Sequence, residues 1–193
     1  MKTTFLKTTL LLFVITFFNC ENNDSDEQLP PITQKGANTF GAIVDGKVFI
    51  PKDKTGYSAP GGGTPKGLNI SSGDGLSAID YYAISTSDYI NTDIYIYLPE
   101  DRPQQKEYIF QLSPGVSSGL NRPNYAHIYC YINNRKYISY ENSGTIRFEM
   151  VDFIKQVCAG TFYAELKNEN DENDIIKITD GRFDLICTKP IGD

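Results

Sequence analysis

The sequence predicts an all-β protein: a single antiparallel β-sandwich or flattened barrel of about 8–10 short strands. Three observations carry this expectation. Short runs rich in Val, Ile, Tyr, Phe and Thr recur between clusters of Gly, Pro, Asn, Asp and Ser, as strands do between turns. The stretch Asp93-Ile94-Tyr95-Ile96-Tyr97-Leu98 alternates strictly, which places Ile94, Ile96 and Leu98 inward on a half-buried strand. Beyond residue 19, apolar residues nowhere recur at i, i+3, i+4 and i+7 for more than two turns, so no long helix is expected.

In chain order, the first strands are Thr39 to Val44 and Lys47 to Ile50, joined by Asp45-Gly46. Asp-Gly between two β-prone runs is a strong hairpin signal, because a type I′ turn needs positive φ at both central residues. Residues 53 to 67 form a Gly/Pro-rich loop whose spacing fits neither a P-loop nor a dinucleotide fingerprint. Strands follow at Leu68 to Ser71, Ile79 to Thr86, Asp93 to Leu98 and Glu107 to Leu112, then a loop over 113 to 123. Asn124 to Ile132 and Lys136 to Tyr140 pair through Asn133-Asn134, and Thr145 to Val151 is followed by Val157 to Leu166. An acidic turn from Lys167 to Asp174 leads into Ile175 to Thr179 and Arg182 to Cys187, with Gly181 marking a bulge or kink.

The chain opens MKTTFLKTTLLLFVITFFNC: Lys2 and Lys7, an apolar run from Leu10 to Phe18, then Cys20. That run is shorter than the ~20 apolar residues a membrane-spanning helix needs, and its layout is that of a secretory signal. A signal ending in cysteine resembles the bacterial lipobox, which implies lipid on Cys20 as the first mature residue. Phe17 and Asn19 depart from the usual residues of that motif. Glu21 to Glu27 is an acidic run that cannot bury itself, similar to the export tag of some lipoproteins on the exterior of the outer membrane. Residues 1–19 are thus expected to be a lipoprotein signal peptide, 20–35 an acidic flexible tether and 36–193 the all-β domain.

Loss of the signal removes two lysines and no acid, taking the net charge from −6 to −8. So acidic a domain does not track phosphates, and no nucleic acid is expected as partner. Membrane contact must come from the lipid on Cys20, since anionic headgroups repel the domain. Three cysteines remain. Cys130, Cys158 and Cys187 each alternate with apolar neighbours, which favours three buried free thiols over one disulfide and one thiol in the oxidising envelope. With one histidine and no C-x-x-C pair, neither a zinc site nor another cofactor is expected.

The segments LPPITQKGANTFGAIVDGKVFIP at Leu29 to Pro51, AGTFYAEL at Ala159 to Leu166 and ITDGRFDLI at Ile178 to Ile186 resemble an uncharacterised lipoprotein family of Gram-negative envelopes. The resemblance covers both ends of the mature chain and rests on glycines, aromatics and a hairpin turn. It implies an all-β outer-membrane lipoprotein facing the exterior and supplies no catalytic residue.

Thirteen tyrosines and no tryptophan point to the one surface with chemical character. Tyr125, His127, Tyr129 and Tyr131 share the outward face of one strand, and Tyr95 and Tyr97 with Asp93 form a comparable face on another. Such faces bind sugars, peptides or proteins, because tyrosine offers rigid area and a hydroxyl, though tyrosine is also simply favoured in strands. The expectation is a face partly exposed at one end, rimmed by the loops at 53 to 67 and 113 to 123. Gly115-Val116-Ser117-Ser118-Gly119 matches a nucleophile elbow, but the strand and helix that chemistry needs are missing. The acidic turn Asn170 to Asp174 lacks the residue order of an EF-hand loop and reads as a solvated hairpin tip. A non-enzymatic binding module is therefore favoured, the alternative being an envelope hydrolase using carboxylates such as Glu149 and Asp152.

Overall fold

The computed structural model describes residues 27–56, 63–73, 81–116 and 123–187. Cys20 and Ser117 lie outside the described residues. The chain is all-β, as the sequence predicts, with eleven strands: β1 (Thr39–Val44), β2 (Lys47–Phe49), β3 (Leu68–Ser72), β4 (Tyr82–Ser87), β5 (Thr92–Leu98), β6 (Glu107–Ile109), β7 (His127–Ile132), β8 (Arg135–Ile138), β9 (Gly144–Asp152), β10 (Val157–Asn168) and β11 (Asp171–Ile186).

All pairings are antiparallel, and the sheet is not closed into a barrel. Its order is β2-β1-β11-β10-β8-β7-β5-β4-β3, with β9 also on β10 and β6 outside β9. β10 is the branch point. Its first two-thirds pairs with β9, from Val157↔Asp152 to Ala164↔Gly144, and its end pairs with β8 at Lys167↔Ile138. One long strand can thus serve two layers: β2-β1-β11-β10-β9-β6 on one side and β3-β4-β5-β7-β8 on the other. The layers meet through apolar side chains, with Ile84, Ile94, Ile96, Leu98 and Ile128 from one and Phe148, Phe162, Ile178 and Phe183 from the other in a single buried cluster. Tyr82 of β4 meets Phe148 of β9 edge to face at 6.3 Å, a direct contact across the layers.

Local signals account for the elements. Ile94, Ile96 and Leu98 are 2%, 0% and 0% exposed, as the alternation of β5 requires. Tyr95 and Tyr97 on its other face are buried too, so the strand is covered on both faces rather than half-buried. The β1–β2 turn has φ of 48° at Asp45 and 77° at Gly46, the two left-handed residues of a type I′ hairpin. Asn133 and Asn134, at 50° and 64°, do the same between β7 and β8. In β11 the register slips around Thr179–Gly181 against both neighbours, so the bulge signalled by Gly181 lies within one continuous strand.

Two further sequence expectations need correction. Cys158 and Cys187 form a disulfide, and Cys130 is the buried free thiol. All three face the core as alternation implies, but facing inward does not say which thiols meet. The register Val157↔Ile186 brings Cys158 and Cys187 to a Cα separation of 5.8 Å across 29 residues of sequence, within disulfide reach. The second correction concerns the tether. Residues 29 to 35 are held on the sheet rather than hanging free: Thr33 Oγ1 donates to Asp184 of β11, and the backbone N–H of Lys35 and Gly36 donate to the same carboxylate at 3.0 and 2.7 Å. Gly41 makes room, since a Cβ there would lie 2.6 Å from Pro30 Cδ. Burial opposes ionisation of Asp184, but the donors from Thr33, Lys35, Gly36 and Ala37 outweigh it and hold the carboxyl below its ordinary range.

Candidate functional site

The outer face of the β3-β4-β5-β7-β8 layer is built from cross-strand rows. Ala83, Tyr97 and His127 form one; Asn69, Ser85, Tyr95, Tyr129 and Ile138 the next; Ser87, Asp93, Tyr131 and Lys136 the third. Directly opposed residues on one sheet face touch, so the aromatic residues read from β5 and β7 come together across the strands. Tyr97 stacks on His127 with centroids 4.8 Å apart and planes at 17°, Tyr95 on Tyr129 at 4.9 Å and 20°, and Tyr129 meets Tyr131 at 90°. Tyr81, just before β4, stacks on Tyr97 from the far side. Tyr125 lies half-buried ahead of β7, outside these ring contacts.

Exposure runs along the rows. Tyr97 and His127 are each 1% exposed, Tyr95 6% and Tyr129 9%, while Tyr131 is half-buried and Tyr89 beyond it is 39% exposed. The face is therefore a second small core at one end and open at the other. The closed end is capped by the start of the 113 to 123 loop. Ser113 lies 3.0 Å from His127 Nδ1, and Gly115 N–H donates to the same Ser113 hydroxyl. Either partner of the Ser113–His127 pair can donate, according to the imidazole tautomer. Burial pulls the imidazole down to about 4, so His127 is neutral near pH 7. This Ser–His pair was missed in the sequence, where the only nearby serine considered was Ser117. No motif marks Ser113.

At the open end, a hollow of about 290 Å³ is lined by Tyr95, Tyr129, Tyr131, Tyr89, Asp93 and Lys66, with Ser85 and Ser87 on its floor. An adjoining hollow of about 400 Å³ shares Ser87, Tyr89, Asp93 and Tyr131. Lys66 comes from the end of the 53 to 67 loop and is paired with Asp53 at 2.6 Å. Lys136 sits 5.6 Å from the Tyr131 ring centroid and bonds Glu169 at 2.9 Å. Tyr89 was not singled out in the sequence. Its signal is Asp88, whose Oδ1 accepts from the N–H of Ile90, Asn91 and Thr92 and so builds the β4–β5 turn that presents the ring.

The other candidates lie elsewhere and apart. Asp152 accepts from the N–H of Ile154 and Lys155 and pairs with the Lys155 ammonium at 3.4 Å, capping the β9–β10 turn. Glu149 lies on the same strand, at the position the β9 register skips between Met150 and Phe148. At the β10–β11 tip, Asp174 takes hydrogen bonds from Tyr137 and Asn168 and an ion pair from Arg135. Among the described residues no group of three His, Cys, Asp or Glu side chains is placed to hold a metal ion.

Fold and site together define a two-layer antiparallel β protein with one aromatic surface that is sealed at one end and hollow at the other. Comparison with family models, with curated proteins and with solved structures returns no match for this chain.

Proposed function

We propose that this protein is a lipoprotein of the outer membrane, anchored by lipid on Cys20 and facing the exterior, whose β domain binds a partner through the open end of its tyrosine face. The observation that carries the binding reading is the hollow bounded by Tyr131, Tyr89 and Asp93, where aromatic area and polar groups converge in a concave site. The apolar run before Cys20 and the acidic run after it support the anchor and its outward orientation. The site has rigid aromatic walls, few apolar atoms beyond the rings and several hydroxyls. That composition suits recognition more than catalysis, because the one histidine is sealed at the opposite end.

Two experiments test this. Cys20→Ala should release the protein from membranes or leave an uncleaved precursor; unchanged processing and membrane retention would overturn the anchor. For binding, arrays of defined glycans and peptides probed with the wild type and with Tyr131→Ala should show a retained ligand lost in the variant. Tyr163→Ala, on the opposite layer and 56% exposed, should keep it. Equal loss in both variants, or none in either, would defeat the tyrosine-face reading.

A further inference from the structure

We infer that the open end takes a cationic amine or guanidinium group, seated over Asp93 between Tyr89 and Tyr131; this rests on the binding reading above. The two hollows share Tyr89, Asp93 and Tyr131, so the carboxylate lies where the aromatic walls converge. Asp93 is exposed and has no hydrogen-bond or ion-pair partner among the described residues. Lys66, which lines the hollow, pairs with Asp53, and Lys136, beside Tyr131, pairs with Glu169. Among the described residues that line the two hollows, Asp93 is the one acid and Lys66 the one cation, and with Lys66 offset by Asp53 the lining is left with a negative balance. The Asp93 charge also reaches Cys130 in the same layer, whose thiol is pushed up by burial first and then by Asp93 and Asp88.

Both rings already show the preference proposed for them. Lys54 Nζ lies 5.7 Å from the Tyr89 centroid and Lys136 Nζ 5.6 Å from that of Tyr131, the distance at which an ammonium is drawn to a ring face. Tyr89 is also held in an unfavourable backbone state, with φ of +56°, where a bulky residue is an outlier. Its N–H to Ser87 Oγ and its hydroxyl to the Lys66 carbonyl, each 2.9 Å, fix the ring beside the hollow. Strain of this kind persists where the surrounding bonds over-determine it, and it collects at binding sites.

The test is an NMR titration of the full chain, following the amides of Tyr89, Asp93 and Tyr131. The probes are Nα-acetyl-lysine amide, Nα-acetyl-arginine amide, butylamine, and Nα-acetyl-norleucine amide as the uncharged match. The lysine and arginine probes should shift these amides saturably and the norleucine probe should not. Asp93→Asn should weaken the lysine probe about fivefold, the size of an exposed ion pair. Asp171→Asn, at the remote hairpin tip, should leave it unchanged. Butylamine matching the lysine probe assigns recognition to the ammonium alone, and a weaker butylamine response assigns it to a peptide side chain; both support a cation site. Equal shifts from norleucine, or an unaltered affinity in Asp93→Asn, would overturn the cation while leaving the hollow a binding site. Equal weakening by Asp171→Asn would reduce the effect to net charge and overturn the site. Silence of these amides to every probe would overturn the cation, and the array comparison of Tyr131→Ala with Tyr163→Ala separately decides the binding face.

Discussion

The two ends of the tyrosine face come from the same strands, a few residues apart, and they have opposite fates. Tyr97 and His127 are sealed, while Tyr131 and Asp93, the third row of the same sheet, stand at a hollow. Residue type does not separate them, since both ends are aromatic with one polar partner. What separates them is what lies above. Ser113 and Gly115 bring a loop over the first row through the Ser113–His127 hydrogen bond, while in the third row Gly115 comes close to Lys136, and Tyr131 and Asp93 line the hollow. An outward strand face becomes core or site according to which loop covers it, and that is decided far away in sequence.

Truncation gives the sharpest contrast. Tyr97→Ala should cost about 3–5 kcal/mol in denaturant unfolding, as buried aromatics do, and a cost near that of Tyr131→Ala would erase the distinction. Acid comes next. His127 is held neutral with its pKa near 4 against about 6.5 in the unfolded chain, so stability is full above pH ~6.5 and is lost as the pH falls toward 4. The expected loss is of order 3 kcal/mol, and it should vanish from that window in His127→Gln.

A smaller effect is expected where the chain enters the domain. Asp184→Asn removes the charged acceptor of Thr33, Lys35 and Gly36 and should cost about 1–3 kcal/mol. Tryptic cleavage after Lys35 should then quicken; unchanged cleavage would show the segment held by other contacts. The smallest effect belongs to the open end: Tyr131→Ala should change stability by only ~0.5–1 kcal/mol, since the ring is half-buried rather than sealed. A loss of several kcal/mol there would make it core and remove it as a binding surface.

Much of the fold was legible because its signals are local. Asp45-Gly46 and Asn133-Asn134 carry their turns in their own φ preferences, β5 alternates, and Gly181 marks its bulge. The candidate site was legible in part. The outward set Tyr95, Tyr97, Tyr129 and Tyr131 follows from period two, but the cover of His127 by Ser113 and of Tyr97 by Tyr81 comes from residues that no spacing connects to them. The cysteine pair, the double service of β10 and the grip of Asp184 on residues 33 to 36 are facts of register between distant segments. Alternation fixes the face a residue occupies and is silent about the neighbour it meets there.

The Asp184 contacts also decide how the domain bears a load. A pull transmitted along the chain from its N-terminal side would meet the bonds of Thr33, Lys35 and Gly36 before it reached Thr39, the first residue of β1. Tension would then pass into β11, which is paired on one side with β1 and on the other with β10, instead of peeling β1 away residue by residue. The strand that takes the strain is thus an interior one, braced along most of its length. A domain held this way can be pulled from its N-terminal side without being unzipped from its first strand.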